Sequence, residues 1–143
     1  MADILQDFPV KATQAQVFEV VSTPSGLDRW WTKRSAGEPV EGSEYQLWFG
    51  PQFDWRARVT RSVPGVEFEL EMIVADNDWL RTRVGFRLET REAATWVQFR
   101  HTGWPAANEH YRVSTHCWAL YLRVLRRYLE VKESVPYEAR LGA

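Results

Sequence analysis

The sequence predicts an α+β fold, with a curved antiparallel sheet of about six strands wrapped around one long C-terminal helix and two short helices after the first strand. Three observations carry this expectation. From Glu44 to Thr102, apolar residues recur at every second position in five runs separated by short turn signals. From Asn108 to Lys132 they recur at helical spacing instead. The apolar arc of that last segment is too broad for a flat sheet to cover.

Residues Asp3 to Val10 alternate loosely through Ile4, Phe8 and Val10 and read as the first strand. Thr13 followed by Gln16 is a capping-box pattern, in which the threonine oxygen takes an orphan helix amide. The helix it opens buries Val17, Phe18, Val20 and Val21. It stops near Ser22, because Pro24 disfavours helical geometry at Thr23. Thr23 then caps a second short helix with Pro24 in its first position, ending in Trp30 and Trp31. Lys33 to Ser43, with Gly37, Pro39 and Gly42, reads as a loop.

Tyr45, Leu47 and Phe49 share one face of the next run, which Gly50-Pro51 breaks. Trp55, Ala57, Val59 and Val63 then oppose Arg56, Arg58 and Thr60, as far as the turn at Pro64-Gly65. Val66, Phe68, Leu70, Met72 and Val74 alternate with Glu67, Glu69 and Glu71. After Asp76-Asn77-Asp78, a row of Leu80, Thr82, Val84, Phe86 and Leu88 opposes Arg81, Arg83 and Arg87. Thr95, Val97, Phe99 and His101 oppose Trp96, Gln98 and Arg100 in the last run. Short turns between the runs make an antiparallel meander with one wet face. The glutamate row lies between two arginine-bearing strands, and cross-strand pairs worth roughly 0.2–1 kcal/mol each specify register more than they stabilise.

In the long helix, Val113, Cys117, Trp118, Leu120, Tyr121, Leu122, Val124, Leu125, Tyr128 and Leu129 cover about half the circumference. A helix on a flat sheet needs a stripe only a little over ~100° wide, so the sheet curls around the helix or a second surface covers its flank. This is a helix-grip arrangement, and incomplete closure leaves a space lined by inward side chains. Pockets of that kind are mostly apolar, with a few orienting polar groups. No repeat, low-complexity tract or linker divides the chain, so residues 1–143 read as a single domain.

Composition narrows the function. A net charge of -1 lacks the basic face that a nucleic-acid groove needs. No apolar run is long enough to span a membrane, and no leader directs export. The single cysteine, Cys117, cannot form an internal disulfide, which suits a reducing cytoplasm. His101, His110 and His116 are not at metal-ligand spacing, and no phosphate loop or dinucleotide fingerprint is present. Neither a metal nor a tightly held cofactor is therefore expected.

Particular motifs are familiar in their order. They are Gly26-Leu27-Asp28-Arg29-Trp30-Trp31 after the first helix, Phe49-Gly50-Pro51 at the first hairpin, and His101-Thr102-Gly103-Trp104 before the last helix. Cys117-Trp118-Ala119-Leu120-Tyr121-Leu122 then runs to Tyr128-Leu129-Glu130, with Pro136-Tyr137 beyond. Together they resemble the SRPBCC superfamily, the START and birch-pollen-allergen-like fold, and within it the branch named for the C-terminal domain of the heat-shock-protein ATPase activator. The resemblance spans nearly the whole chain. It implies a helix-grip fold with an internal cavity for an apolar or amphipathic molecule, and it implies no defined catalytic residues.

The residues that alternation and helical phase turn inward are Trp30, Tyr45, Trp55, Phe68, Phe86, Phe99, His101, Tyr121, Leu125 and Tyr128, and they are the candidate ligand-binding set. His101 is either a satisfied core histidine or a polar anchor or general base for a ligand. Tyr121 and Tyr128 are orienting hydroxyls if a cavity exists, and core tyrosines otherwise. Trp30 and Trp31 are core or a ligand gate; on a helix they point about 100° apart, so they do not share a role. Trp48, Trp79 and Trp96 fall opposite their strands' apolar rows. They mark a surface for a homodimer or protein partner, or curvature returns one or two of them inside. Arg61 interrupts an inward row; either a bulge turns it out or it meets an acid or anionic ligand.

The leading expectation is a protein that binds a small hydrophobic or amphipathic molecule between sheet and C-terminal helix. Two alternatives stand beside it. One is a protein-interaction module resembling the chaperone-ATPase activator. The other is a cofactor-free cavity enzyme of the cyclase or hydratase kind, using His101 and a helix tyrosine.

Overall fold

Alternation, turn chemistry and helix caps act locally, and the elements they dictate assemble as expected in outline. The computed structural model describes residues 1–142. Its strands are β1 (Ala2–Val10), β2 (Arg34–Ala36), β3 (Glu44–Trp48), β4 (Asp54–Val63), β5 (Glu67–Val74), β6 (Arg83–Arg91) and β7 (Ala94–Trp104). They form one antiparallel sheet in the order β1-β7-β6-β5-β4-β3-β2. The class is α+β helix-grip, with seven strands rather than about six. The added strand, β2, pairs Ser35 with Leu47 in a segment read from sequence as loop. Three residues at a sheet edge are too few to show a period.

Register follows the predicted charge ladder. Glu71 lies opposite Arg58 on one side and Arg83 on the other, and Glu67 lies opposite Arg87. On the inner face Phe68 pairs with Phe86, which pairs in turn with Phe99. The β4–β5 register shifts between Val59 and Arg61. That bulge bends the strand and turns Arg61 outward, where its Nη2 lies 3.0 Å from Glu67 Oε1. Both readings of Arg61 thus hold: a bulge turns it out, and it meets an acid there.

Helix α1 (Gln14–Ser22) carries the expected capping box, with Gln16 N donating to Thr13 Oγ1 at 3.1 Å and Thr13 N to Gln16 Oε1 at 2.9 Å. Helix α2 (Pro24–Leu27) starts under the Thr23 cap but ends at Leu27, before the tryptophans. Trp30 and Trp31 occupy the following turn, their amides directed at Leu27 O over 3.2 and 2.9 Å. Gly26 permits the tight junction of the two helices, since a Cβ there would lie 2.5 Å from Glu19 O and Val20 Cα.

Helix α3 (Glu109–Val131) is capped by Asn108, whose side chain accepts from Tyr111 N at 2.9 Å, and it ends at Lys132 in the left-handed region. Beside it, α1 packs on β5 and β6 and touches α3. α1 thus covers part of one flank of α3. Beyond Pro136 a 3₁₀ helix, Tyr137–Gly142, folds back against α3. Arg140 fixes it there, donating to Thr32 O (3.0 Å), Val135 O (3.1 Å) and Asp28 O (2.5 Å). Three carbonyls offset the desolvation of a guanidinium that is only 5% exposed.

Candidate functional site

Most of the space between sheet and α3 is filled. Trp118 of α3 is the central plug, with ring centroids 4.6 Å from Phe99, 5.2 Å from Trp31 and 5.8 Å from Trp79. Trp30, Tyr45, Phe68, Phe86, Phe99, His101 and Leu125, all in the expected ligand-binding set, are buried in this packing. Their polar atoms are used internally. Trp30 Nε1 donates to Val20 O at 3.0 Å, and the Tyr45 hydroxyl donates to Ser22 O at 2.5 Å. Burial raises the Tyr45 hydroxyl well above the ordinary tyrosine range.

His101 is the satisfied core histidine of the two readings. Trp118 Nε1, which can only donate, lies 3.0 Å from its Nδ1. That nitrogen is therefore unprotonated, and the proton sits on Nε2, 2.8 Å from Thr82 Oγ1. The Thr82 hydroxyl in turn donates to Trp79 O at 2.5 Å. Burial, and secondarily the charge of His110, pushes the imidazole down to about 3. A neutral imidazole with both nitrogens engaged has nothing left for acid–base work on a ligand. It ties α3, β7 and the β5–β6 turn together.

An apolar groove remains at the N-terminal half of α3. Its volume is about 260 Å³, just under the ~300 Å³ at which small-molecule sites usually begin. One wall is aromatic and comes from three places: Trp31 after α2, Phe49, Phe53 and Trp55 around the β3–β4 hairpin, and Trp79 in the turn before β6. These rings support one another, with Trp55 5.1 Å from Trp79 and 5.4 Å from Phe49. The other wall is α3, which contributes His110, Ser114, Cys117 and Tyr121 at i, i+4, i+7 and i+11, the spacing of one helix face. Tyr137, held by the Arg140 anchor, closes the far side.

Phe53 (43% exposed) and Val113 (53% exposed) mark the open mouth. No carboxylate lines the groove. At the rim, His110 Nδ1 lies 3.0 Å from Asp78 Oδ2, which also accepts from Asn108 Nδ2 at 3.3 Å. Burial raises the Cys117 thiol, and it pushes Tyr121 up to about 12, with lesser contributions from Tyr137 and Cys117.

Of the expected set, the structure brings Trp55 and Tyr121 to this groove. Tyr128 lies elsewhere on α3, under the Arg29 guanidinium at 5.1 Å. Between the adjacent tryptophans the roles divide as their divergence requires: Trp30 is core and Trp31 lines the groove. Trp79 is not on the wet face. It lies in a turn where Arg81 has φ 67°, so strand alternation does not govern it. Trp48 and Trp96 stay on the outer face, half-buried under Arg34 (4.4 Å) and Arg91 (4.7 Å). Sequence reasoning missed His110, Ser114 and Phe53 as lining. The helical spacing of His110, Ser114, Cys117 and Tyr121 was the available signal, hidden beside a stronger apolar stripe.

Among the described residues, no cluster of three or more His, Cys, Asp or Glu side chains could hold a metal ion, and no helix is long and apolar enough to cross a membrane.

Residues 11–130 match the family described as Activator of Hsp90 ATPase homolog 1-like protein. Among solved structures, the Aha1 dimer from Colwellia psychrerythraea is 28% identical with a TM-score of 0.83, over 94% of this chain and 100% of that one. A protein from Staphylococcus saprophyticus is 18% identical (TM-score 0.78, 94% and 96% covered). CalU16 from Micromonospora echinospora is likewise 18% identical (TM-score 0.74, 98% and 81% covered). These last two share the fold. No curated protein matches the sequence.

Proposed function

The chain belongs to the Activator of Hsp90 ATPase homolog 1-like family, and from that premise we propose that it binds a small, predominantly apolar molecule in the groove between α3 and the hairpin aromatics. The observation that carries this reading is the groove itself. Five aromatic side chains line one wall of an open space of about 260 Å³, while Trp30, Tyr45, Phe68, Phe86 and Phe99 are buried. Phe53 is exposed and Phe49 and Trp55 are half-buried, so the concavity presents partly open aromatic surface to an apolar occupant. The lone, half-buried thiol of Cys117 fits a reducing, cytoplasmic setting.

Naphthalene, a rigid apolar bicycle, is a suitable probe for titration against intrinsic tryptophan fluorescence. Saturable quenching that weakens about tenfold in Trp55→Ala, equivalent to the ~1.4 kcal/mol expected of one aromatic contact, supports the reading. Absence of saturable binding to the wild-type chain removes it.

A second reading, self-association, draws support from the dimeric Colwellia protein and from the outer-face pair Trp48 and Trp96. Sedimentation velocity of the full chain tests it. A concentration-dependent dimer that Trp48→Arg dissociates supports the reading, and a monomer throughout the micromolar range rejects it.

A further inference from the structure

The side chains that the groove leaves open to an occupant are almost all rings. Phe49, Trp55, Tyr121 and Tyr137 are half-buried and Phe53 is exposed, whereas Trp31 and Trp79 of the same lining are buried. Val113 is the one aliphatic residue in the described lining, and no lysine or arginine belongs to it. A space for an alkyl chain or a saturated ring needs no such composition, because leucine and valine supply apolar area equally well.

The tilt of the rings narrows the occupant further. Trp55 stands at a corner, 5.4 Å from Phe49 at 64° and 6.2 Å from Phe53 at 81°. Rings set so steeply to one another cannot all be face-on to one occupant, so an occupant beside them meets ring edges as well as ring faces. Faces carry partial negative charge and edges partial positive charge. An aromatic occupant carries both signs itself, and it matches either aspect by stacking on a face or turning its own face to an edge. A saturated occupant carries neither. An organic cation is drawn to faces alone. At the far side it would also meet Arg140 and Lys33, whose charged groups already stand 5.5 and 5.8 Å from the Tyr137 ring centroid.

We infer that the groove selects a planar aromatic ring system over a saturated one of the same skeleton, and that Trp55 is the residue that sets this preference. The inference rests on the groove reading above and adds the chemical class of the occupant.

The test compares 2-naphthol with decahydro-2-naphthol, which share a bicyclic skeleton and a hydroxyl, by ¹H–¹⁵N titration of the full chain. Saturation adds apolar area, so burial alone makes the decahydro alcohol the tighter ligand. With ring contacts, 2-naphthol binds about tenfold more tightly instead, equivalent to ~1.4 kcal/mol. Trp55→Leu keeps an apolar side chain on β4 and lowers that preference to about twofold or less. Phe53→Leu changes an exposed residue of the β3–β4 hairpin, which the fold tolerates, and lowers the preference to about threefold. Equal affinity or tighter binding of the saturated alcohol overturns the inference and leaves the groove reading to the naphthalene titration. So does a full preference that survives in Trp55→Leu, or in Phe53→Leu where the first variant does not fold. No saturable binding of naphthalene or of either alcohol overturns both.

Discussion

Lowering the pH should destabilise this protein through one buried imidazole. His101 is 0% exposed and accepts at Nδ1 from an indole that cannot reverse the bond. A proton added at Nδ1 would face the Trp118 N–H. The group sits at about 3 in the fold against an ordinary 6.5. Because the folded value is depressed, the unfolded chain takes up a proton that the native state refuses. The contribution is whole above pH ~6.5 and is lost progressively as the pH falls toward ~3. Linkage integrated from pH ~7 to pH ~5 gives a loss of ~2 kcal/mol, within a full range on the order of 5 kcal/mol.

The assay is urea unfolding followed by tryptophan fluorescence at both pH values, for the wild-type chain and His101→Gln. The glutamine amide can serve the same two partners and does not titrate. Exposed carboxylates held low, Asp54 by Arg56, Glu133 by Arg127 and Glu138 by a backbone hydrogen bond and then Lys33, are common to both proteins and cancel. With a urea slope of about 2 kcal/mol/M, the wild-type midpoint should fall by about 1 M more than that of the variant. Equal falls in the two proteins would refute the neutral, doubly bonded histidine.

Three other outcomes follow from the packing. Gly26→Ala drives a methyl to within 2.5 Å of backbone atoms in α1, and should cost about 3 kcal/mol, seen as a loss of roughly 10 °C in thermal unfolding. Arg140→Met removes three carbonyl contacts. It should expose the amides of the 3₁₀ helix to fast hydrogen exchange and weaken naphthalene binding by loosening Tyr137, with α3 protection retained. Cys117 is half-buried with a raised thiol, so maleimide should label it more slowly than free cysteine, and more slowly again with naphthalene present.

Local signals settled the elements. Period-two rows gave β3 to β7 and their inner faces, and the Thr13 box and Pro24 set the ends of α1 to the residue. Each depends on atoms a few positions apart, so the one-dimensional pattern suffices. Trp55 and Tyr121 could be placed in the site because both lie in regular elements, where period determines direction.

Long-range geometry decided the rest. The pairing of β1 with β7 joins Ile4 to His101, and β2 is a strand only because β3 lies beside it. Trp79 turns inward through a turn with a left-handed residue, which no alternation describes. His101 looked like a candidate base until Trp118 and Thr82, 17 and 19 positions away, took its two nitrogens. Tyr137 reaches the groove because Arg140 bonds a carbonyl 108 positions back. Within the regular strands and helices, period alone told the buried face from the exposed one. Only tertiary packing decided which inward residues meet one another and which face an open space, because cavity and core alike are lined by apolar side chains of the same period.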